Sequence, residues 1–168
     1  MSETPAPSAP PRRVVPFLWY DRDAEAAVAH YLRVVGEGRV LSLSRYGEGA
    51  PLPAGTAMTV EFELAGVRMT ALNGGPIYQH TPAFSLMLPC ETQEEVDRLW
   101  DGLCEGGEPG RCGWLKDRWG VSWQVVPRAL GATIGGPDRA GAARALQAMF
   151  TMSKLDVAAL ERAYRGEG

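Results

Sequence analysis

Hydrophobic positions recur along this chain with two different periods, and the switches between them outline its elements. Val14-Val15-Pro16-Phe17-Leu18-Trp19-Tyr20 is a short aromatic run closed by Asp21-Arg22-Asp23, which predicts a strand. Ala24, Ala27, Val28, Tyr31, Leu32 and Val35 then follow at helical spacing. They form one apolar stripe, capped by Asp21 or Asp23 and stopped at Gly36. Arg39 to Arg45 reads as a second strand, followed by a Gly/Pro loop from Gly47 to Gly55. From Ala57 to Leu64 the period is two, with Met58, Val60, Phe62 and Leu64 on one face and Thr59, Glu61 and Glu63 on the other. Ala65-Gly66 supplies a two-residue turn, Val67 to Leu72 the returning strand, and Asn73-Gly74-Gly75-Pro76 a stop.

The second half repeats this order. Phe84 to Leu88 is a strand, and Thr92-Gln93-Glu94-Glu95 is a capping box that opens a helix with the stripe Val96, Leu99, Trp100 and Leu103. Two strands are expected near Gly110 to Leu115 and Val121 to Val126, separated by Asp117-Arg118-Trp119-Gly120. From Pro137-Asp138 onward the chain reads as helical, with Ala142, Ala145, Leu146, Met149 and Phe150 on one stripe and a last helix capped within Ser153 to Asp156. The fold class is α+β. Two βαβββ modules, about 14–75 and 80–130, pair because neither buries its own sheet face. A Pro/Ala/Ser leader over 1–13 precedes them and a helical extension over 131–168 follows.

Composition narrows the function. Of 168 residues, 45% are hydrophobic and 22% charged, as in an ordinary folded domain. Lys+Arg 17 against Asp+Glu 20 gives a net charge of −3 with no basic block, so the footprint of a nucleic-acid binder is missing. No apolar run reaches the roughly 18 residues of a membrane span. Three cysteines, Cys90, Cys104 and Cys112, contain no C-x-x-C pair and point to a reducing, cytoplasmic setting.

Several segments carry a resemblance. Pro16 to Tyr20 with the Ala-rich helix after it, MTVEFELAG (58–66), ALNGG (71–75), CETQEEVDRLW (90–100) and CGWLKDRWGVSWQVVPRAL (112–130) resemble the PhnB-like branch of the vicinal-oxygen-chelate superfamily. That superfamily includes glyoxalase I, bleomycin-resistance proteins and extradiol dioxygenases. The resemblance runs from about Val15 to the C-terminus, tail helices included. It implies paired modules whose sheets curl around a central pocket, commonly completed in a homodimer. Branch members carry the label "demethylubiquinone methyltransferase-like". The Gly clusters of this chain follow no βαβ unit of the kind that binds a methyl donor, so the residues do not support methyl transfer.

Metal-dependent relatives place a His or Glu on each of four strands. That pattern falls here on Pro16, Met69, Pro82 or Ala83, and Gln124, none of them a strong ligand, so neither metal nor cofactor is expected. Of the two histidines, His30 reads as a surface or edge residue on the first helix. His80, just before the fifth strand, is placed to reach the pocket mouth. Strand parity with Gln124 facing the pocket selects Ser122 beside it, together with Leu18, Tyr20, Met69, Asn73, Ser85 and Met87. The same parity turns Trp123 and Val125 toward the helices. Trp114 and Trp119 flank a charged turn and suit either stacking on a planar ligand or sealing a dimer.

The expected function is metal-free binding of a small apolar or aromatic molecule by a homodimer, in a Met-bearing cavity with a few polar heads. The alternative is a lyase, isomerase or cyclase with His80 or Glu61 as acid/base and Tyr20 or Gln124 steadying an enolate. A metal-dependent glyoxalase-like enzyme and a partner-binding module built on the tail helices are further readings.

Overall fold

The computed structural model describes residues 13–167, in which two four-stranded mixed sheets each carry one long helix. The expected leader lies almost wholly outside these residues. The first module runs β1 (Phe17–Tyr20), α1 (Ala24–Val35), β2 (Gly38–Arg45), β3 (Ala57–Leu64) and β4 (Val67–Asn73). The second runs β5 (Ser85–Cys90), α2 (Gln93–Cys104), β6 (Glu108–Pro109), β7 (Trp114–Lys116) and β8 (Ser122–Pro127). Strand order is β1-β4-β3-β2 in one sheet and β5-β8-β7-β6 in the other, the same winding twice. Only β1–β4 and β5–β8 are parallel. The sheets do not close into a barrel.

Local chemistry accounts for these elements. β3 buries Val60, Phe62 and Leu64 and leaves Thr59, Glu61 and Glu63 half-buried on its other face, as period two requires. Ala65 and Gly66 both take positive φ, 45° and 78°, the backbone twist that a two-residue hairpin needs. Thr92 caps α2 by accepting from the Glu95 N–H at 3.2 Å, and Val96, Leu99, Trp100 and Leu103 of that helix are buried.

One hydrophobic core runs through both modules, because α1 and α2 touch. A Cβ on Gly102 would lie 2.7 Å from a Val34 methyl, so glycine is what lets the helices approach there. Arg98 donates to the Val34 carbonyl across the same contact. His30 is buried, not at the surface as expected. Arg33 donates to its Nδ1 at 3.0 Å, so Nε2 carries the proton and donates to the Gly102 carbonyl at 2.9 Å.

A polar cluster also joins the modules. The Asp117 carboxylate, 2% exposed, accepts from the Tyr31 hydroxyl at 2.7 Å and from Trp123 Nε1 at 2.9 Å. The N–H groups of Trp119 and Val121 donate to it at 2.9 and 3.0 Å. Since Tyr31 spends its proton on Asp117, Tyr20 donates to Tyr31 across their 3.1 Å contact. Burial holds both phenols above their usual range, so both stay protonated.

Past β8 the chain forms α3 (Ala129–Thr133), which the periodicity did not predict, then α4 (Arg139–Phe150) and α5 (Val157–Arg165). Asp138 and Asp156 cap the last two. The tail docks on the second module through Leu155 and Leu160, both fully buried. Gln93 braces it by donating to the Leu155 carbonyl at 3.1 Å and accepting from the Val157 N–H at 2.8 Å. The expected α4 stripe is only partly covered: Gly141 and Ala145 are buried, whereas Phe150 is 48% exposed.

Two outcomes test this architecture. Asp117→Asn turns an N–H toward buried donors and should cost about 2–3 kcal/mol in denaturant unfolding; an unchanged midpoint would remove Asp117 from its central role. Burial lowers the His30 pKa below its ordinary 6.5, so the unfolded chain takes up the proton first. The stabilisation is therefore complete above that value and is lost as pH falls through it toward the folded pKa. The melting temperature should drop between about pH 7 and pH 5, and His30→Gln should flatten the profile, with His80 accounting for part of what remains.

Candidate functional site

The second sheet brings several expected residues together. Register sets Trp114, Gln124 and Met87 in one row across three strands, and Lys116, Ser122 and Ser85 in the next. Gln124 Nε2 donates to Ser85 Oγ at 2.9 Å on the diagonal between the rows. This face points away from α2. Trp123 and Val125, on the opposite face, are fully buried as parity predicts.

In the first sheet the parity expectation fails. Leu18, Tyr20, Met69 and Asn73 stand on the helix-covered face and are buried in the core. Register pairs Leu18 with Ala71 and Tyr20 with Asn73, so the open face of β1 and β4 carries Phe17, Trp19, Thr70 and Leu72 instead. A usable signal was present: Glu61 pairs with Thr70, so the polar face of β3 identifies the open face of β4. Asn73 is structural. Its Oδ1 accepts from the Ala24 N–H at 2.8 Å, capping α1 where Asp23 makes no side-chain cap bond, and its Nδ2 donates to the Ala57 carbonyl at 3.0 Å.

Where the modules meet, β5 faces the β3–β4 hairpin across a pocket of about 280 Å³. Leu64, Met69, Leu86, Met87, Leu88 and Trp123 wall it, and Glu37, Glu95 and Arg98 supply its polar side. Met69 from the first module and Met87 from the second both line it.

His80 lies elsewhere. It lines a hollow with Trp19, Tyr20, Lys116, Arg118 and Trp119. Its ring stands edge-on to Tyr20 at 5.3 Å between centroids, and its Nε2 is shut from solvent with no hydrogen-bond partner among the described residues. Burial lowers its pKa. Trp119 packs edge-on to His30 and Tyr31 at 5.3 and 5.8 Å, with the Arg118 guanidinium 5.5 Å above its ring. Glu61 is ion-paired with Arg68 on the open face of the first sheet and shares no hollow with His80.

Among the described residues, no three His, Cys, Asp or Glu side chains group to hold a metal ion. The four pattern positions bring no imidazole or carboxylate, only the weak donors of Met69 and Gln124, so the residues present do not fit the metal centre of the metal-dependent relatives. The βα turns read Asp21-Arg22-Asp23 and Glu91-Thr92, without the glycines that cradle a nucleotide-like methyl donor.

Twice-repeated βαβββ winding with open sheet faces defines the vicinal-oxygen-chelate class. The profile of the family described as 3-demethylubiquinone-9 3-methyltransferase matches residues 12–126, and the chain belongs to that family, the PhnB-like branch of the class. A PhnB protein from Bacillus cereus is 30% identical, with a TM-score of 0.64 over 69% of this chain and 99% of its own. A Pseudomonas aeruginosa protein is similar at 22% identity and TM-score 0.58, over 70% and 98%. The fosfomycin resistance protein FosX from Mesorhizobium loti shares the fold at 12% identity and TM-score 0.51, over 68% and 90%. No curated protein matches. The family match stops at residue 126, so the tail helices lie outside it, contrary to the expected reach of the resemblance.

Asn73→Ala leaves the Ala24 N–H and the Ala57 carbonyl buried without partners. It should cost about 2–4 kcal/mol by chemical denaturation, and a loss below about 1 kcal/mol would mean that Asn73 is not the α1 cap.

Proposed function

We propose that this chain binds a small apolar or aromatic molecule at the junction of its two modules, without a metal and without turnover. The observation that carries this reading is the 280 Å³ pocket whose wall takes Met69 from one module and Leu86, Met87, Leu88 and Trp123 from the other. Its size is close to the lower range of ligand pockets, and flexible methionines suit an adaptable apolar wall. Ser85 and Gln124 add polar heads on the adjoining sheet face.

The same reading includes a homodimer and a reducing compartment. Phe17 and Met87 stand 59% and 58% exposed on open sheet faces, where a second copy would remove them from water. Cys90, Cys104 and Cys112 are free thiols, and no helix among the described residues is long and apolar enough to cross a membrane.

Acid–base catalysis is less well supported. His80 Nε2 is shut from solvent, Glu61 is ion-paired, and the Tyr20 hydroxyl is committed to Tyr31. Methyl transfer, which the family's description names, finds no glycine-rich cradle here.

Naphthol is a suitable probe, with Trp123 in the pocket wall as fluorescent reporter. Met87→Glu should weaken naphthol binding by at least about tenfold without lowering the melting temperature. Equal affinity in both proteins would overturn the assignment.

A further inference from the structure

A second hollow of different chemistry lies beside the β3–β4 turn. It is about 560 Å³ in volume and is walled by Arg13, Arg39 and Arg68 with Leu41, Glu63 and Val67. Three guanidiniums against Glu63 and the Glu61 paired with Arg68 leave a local charge of +1, on a chain whose net charge is −3. Arg68 is paired with Glu61. Arg39 faces Glu63 in the β2–β3 register yet forms no ion pair with it, and Arg13 forms none either among the described residues. Their planar forks therefore keep N–H donors spaced to match the oxygens of a carboxylate or phosphate. A single exposed guanidinium is weakly attractive in salt, but three around one hollow raise the local anion concentration.

Position sets this cluster apart from an ordinary charged surface. Val67 lines both the arginine hollow and the apolar pocket between the modules. The arginine hollow on the open face of the first sheet and the apolar pocket on its covered face thus adjoin round the edge of the hairpin.

We infer that the arginine hollow is an anion-recognition subsite that takes the carboxylate or phosphate head of a ligand whose apolar body enters the junction pocket. The inference rests on the binding reading above. It adds to that reading the ligand's class, an organic acid with one apolar end. The unpaired forks of Arg39 and Arg13 take the head, with Arg68, shared with Glu61, beside them; the pocket that Met69 and Met87 line receives the body.

Pyrophosphate, naphthoate and naphthol separate the two parts when titrated into the full chain and into a double variant, Arg39→Gln with Arg68→Gln. Both arginines are exposed, and the melting temperature of the variant checks that it folds. Naphthoate should bind the native chain about tenfold more tightly than naphthol, and the variant should lose that margin while binding naphthol unchanged. Pyrophosphate should bind the native chain only, and both anions should weaken as salt rises from about 0.05 to about 0.5 M. Equal affinities for naphthoate and naphthol in the native chain, or pyrophosphate binding that survives in the variant, overturn the anion subsite and leave the apolar pocket standing. Failure of naphthol to bind, with pyrophosphate still bound, overturns the apolar pocket instead. Tighter binding of a short single-stranded RNA than of pyrophosphate would overturn the assignment to a small ligand.

Discussion

A carboxylate taken out of water must find several donors at once, and Asp117 finds them only when both modules are folded against each other. Two donors are backbone N–H groups of its own turn, one is Trp123 of the same module, and the fourth is Tyr31 from the helix of the other. The Tyr20 hydroxyl extends the network back to β1. An uncompensated buried charge costs several kcal/mol, so the network resists any arrangement in which the modules part. It also withdraws Tyr20 and Tyr31 from chemistry, since each phenol is buried and already bonded.

Holding the modules at this angle sends the helices inward and turns one face of each sheet away from its helix. The helix contact through Gly102, Val34 and His30 permits no slack on the covered side. On the other side Met87, Trp114, Gln124 and Ser85 stand together in two neighbouring rows, with Met87 58% exposed. The junction that Asp117 secures at one end thus forms the apolar pocket at the other, where β5 passes the β3–β4 hairpin. The arginine hollow adjoins that hairpin, and Val67 lines both.

The tail is an addition to the family pattern. Leu155 and Leu160 bury it against the second module, and the Cys112 and Gly113 N–H groups donate to the Met152 and Ser153 carbonyls, both at 2.8 Å. Gly113 takes φ 83°, and a Cβ there would lie 2.8 Å from the Val125 carbonyl, so the docking corner needs glycine. The extension therefore braces the β7–β8 hairpin, whose other end carries Asp117.

Element by element, the amino-acid order was sufficient wherever a period repeats over a full element. β3, the Ala65-Gly66 turn, α1 and α2 were all legible, because burial of one face is a local demand written in the spacing of apolar residues. The winding of two βαβββ units was legible for the same reason. Which face of β1 and β4 meets a helix was not: both faces of β1 are apolar, both faces of β4 mix apolar and polar residues, and the register with β3 resolves them. Nor were the partners of Asp117, the cap from Asn73 to Ala24, or the burial of His30, each a contact between residues far apart in the chain. The junction pocket and the arginine hollow belong to this second kind, since Met69 comes to Met87, and Arg39 to Arg68, only once the chain has closed on itself.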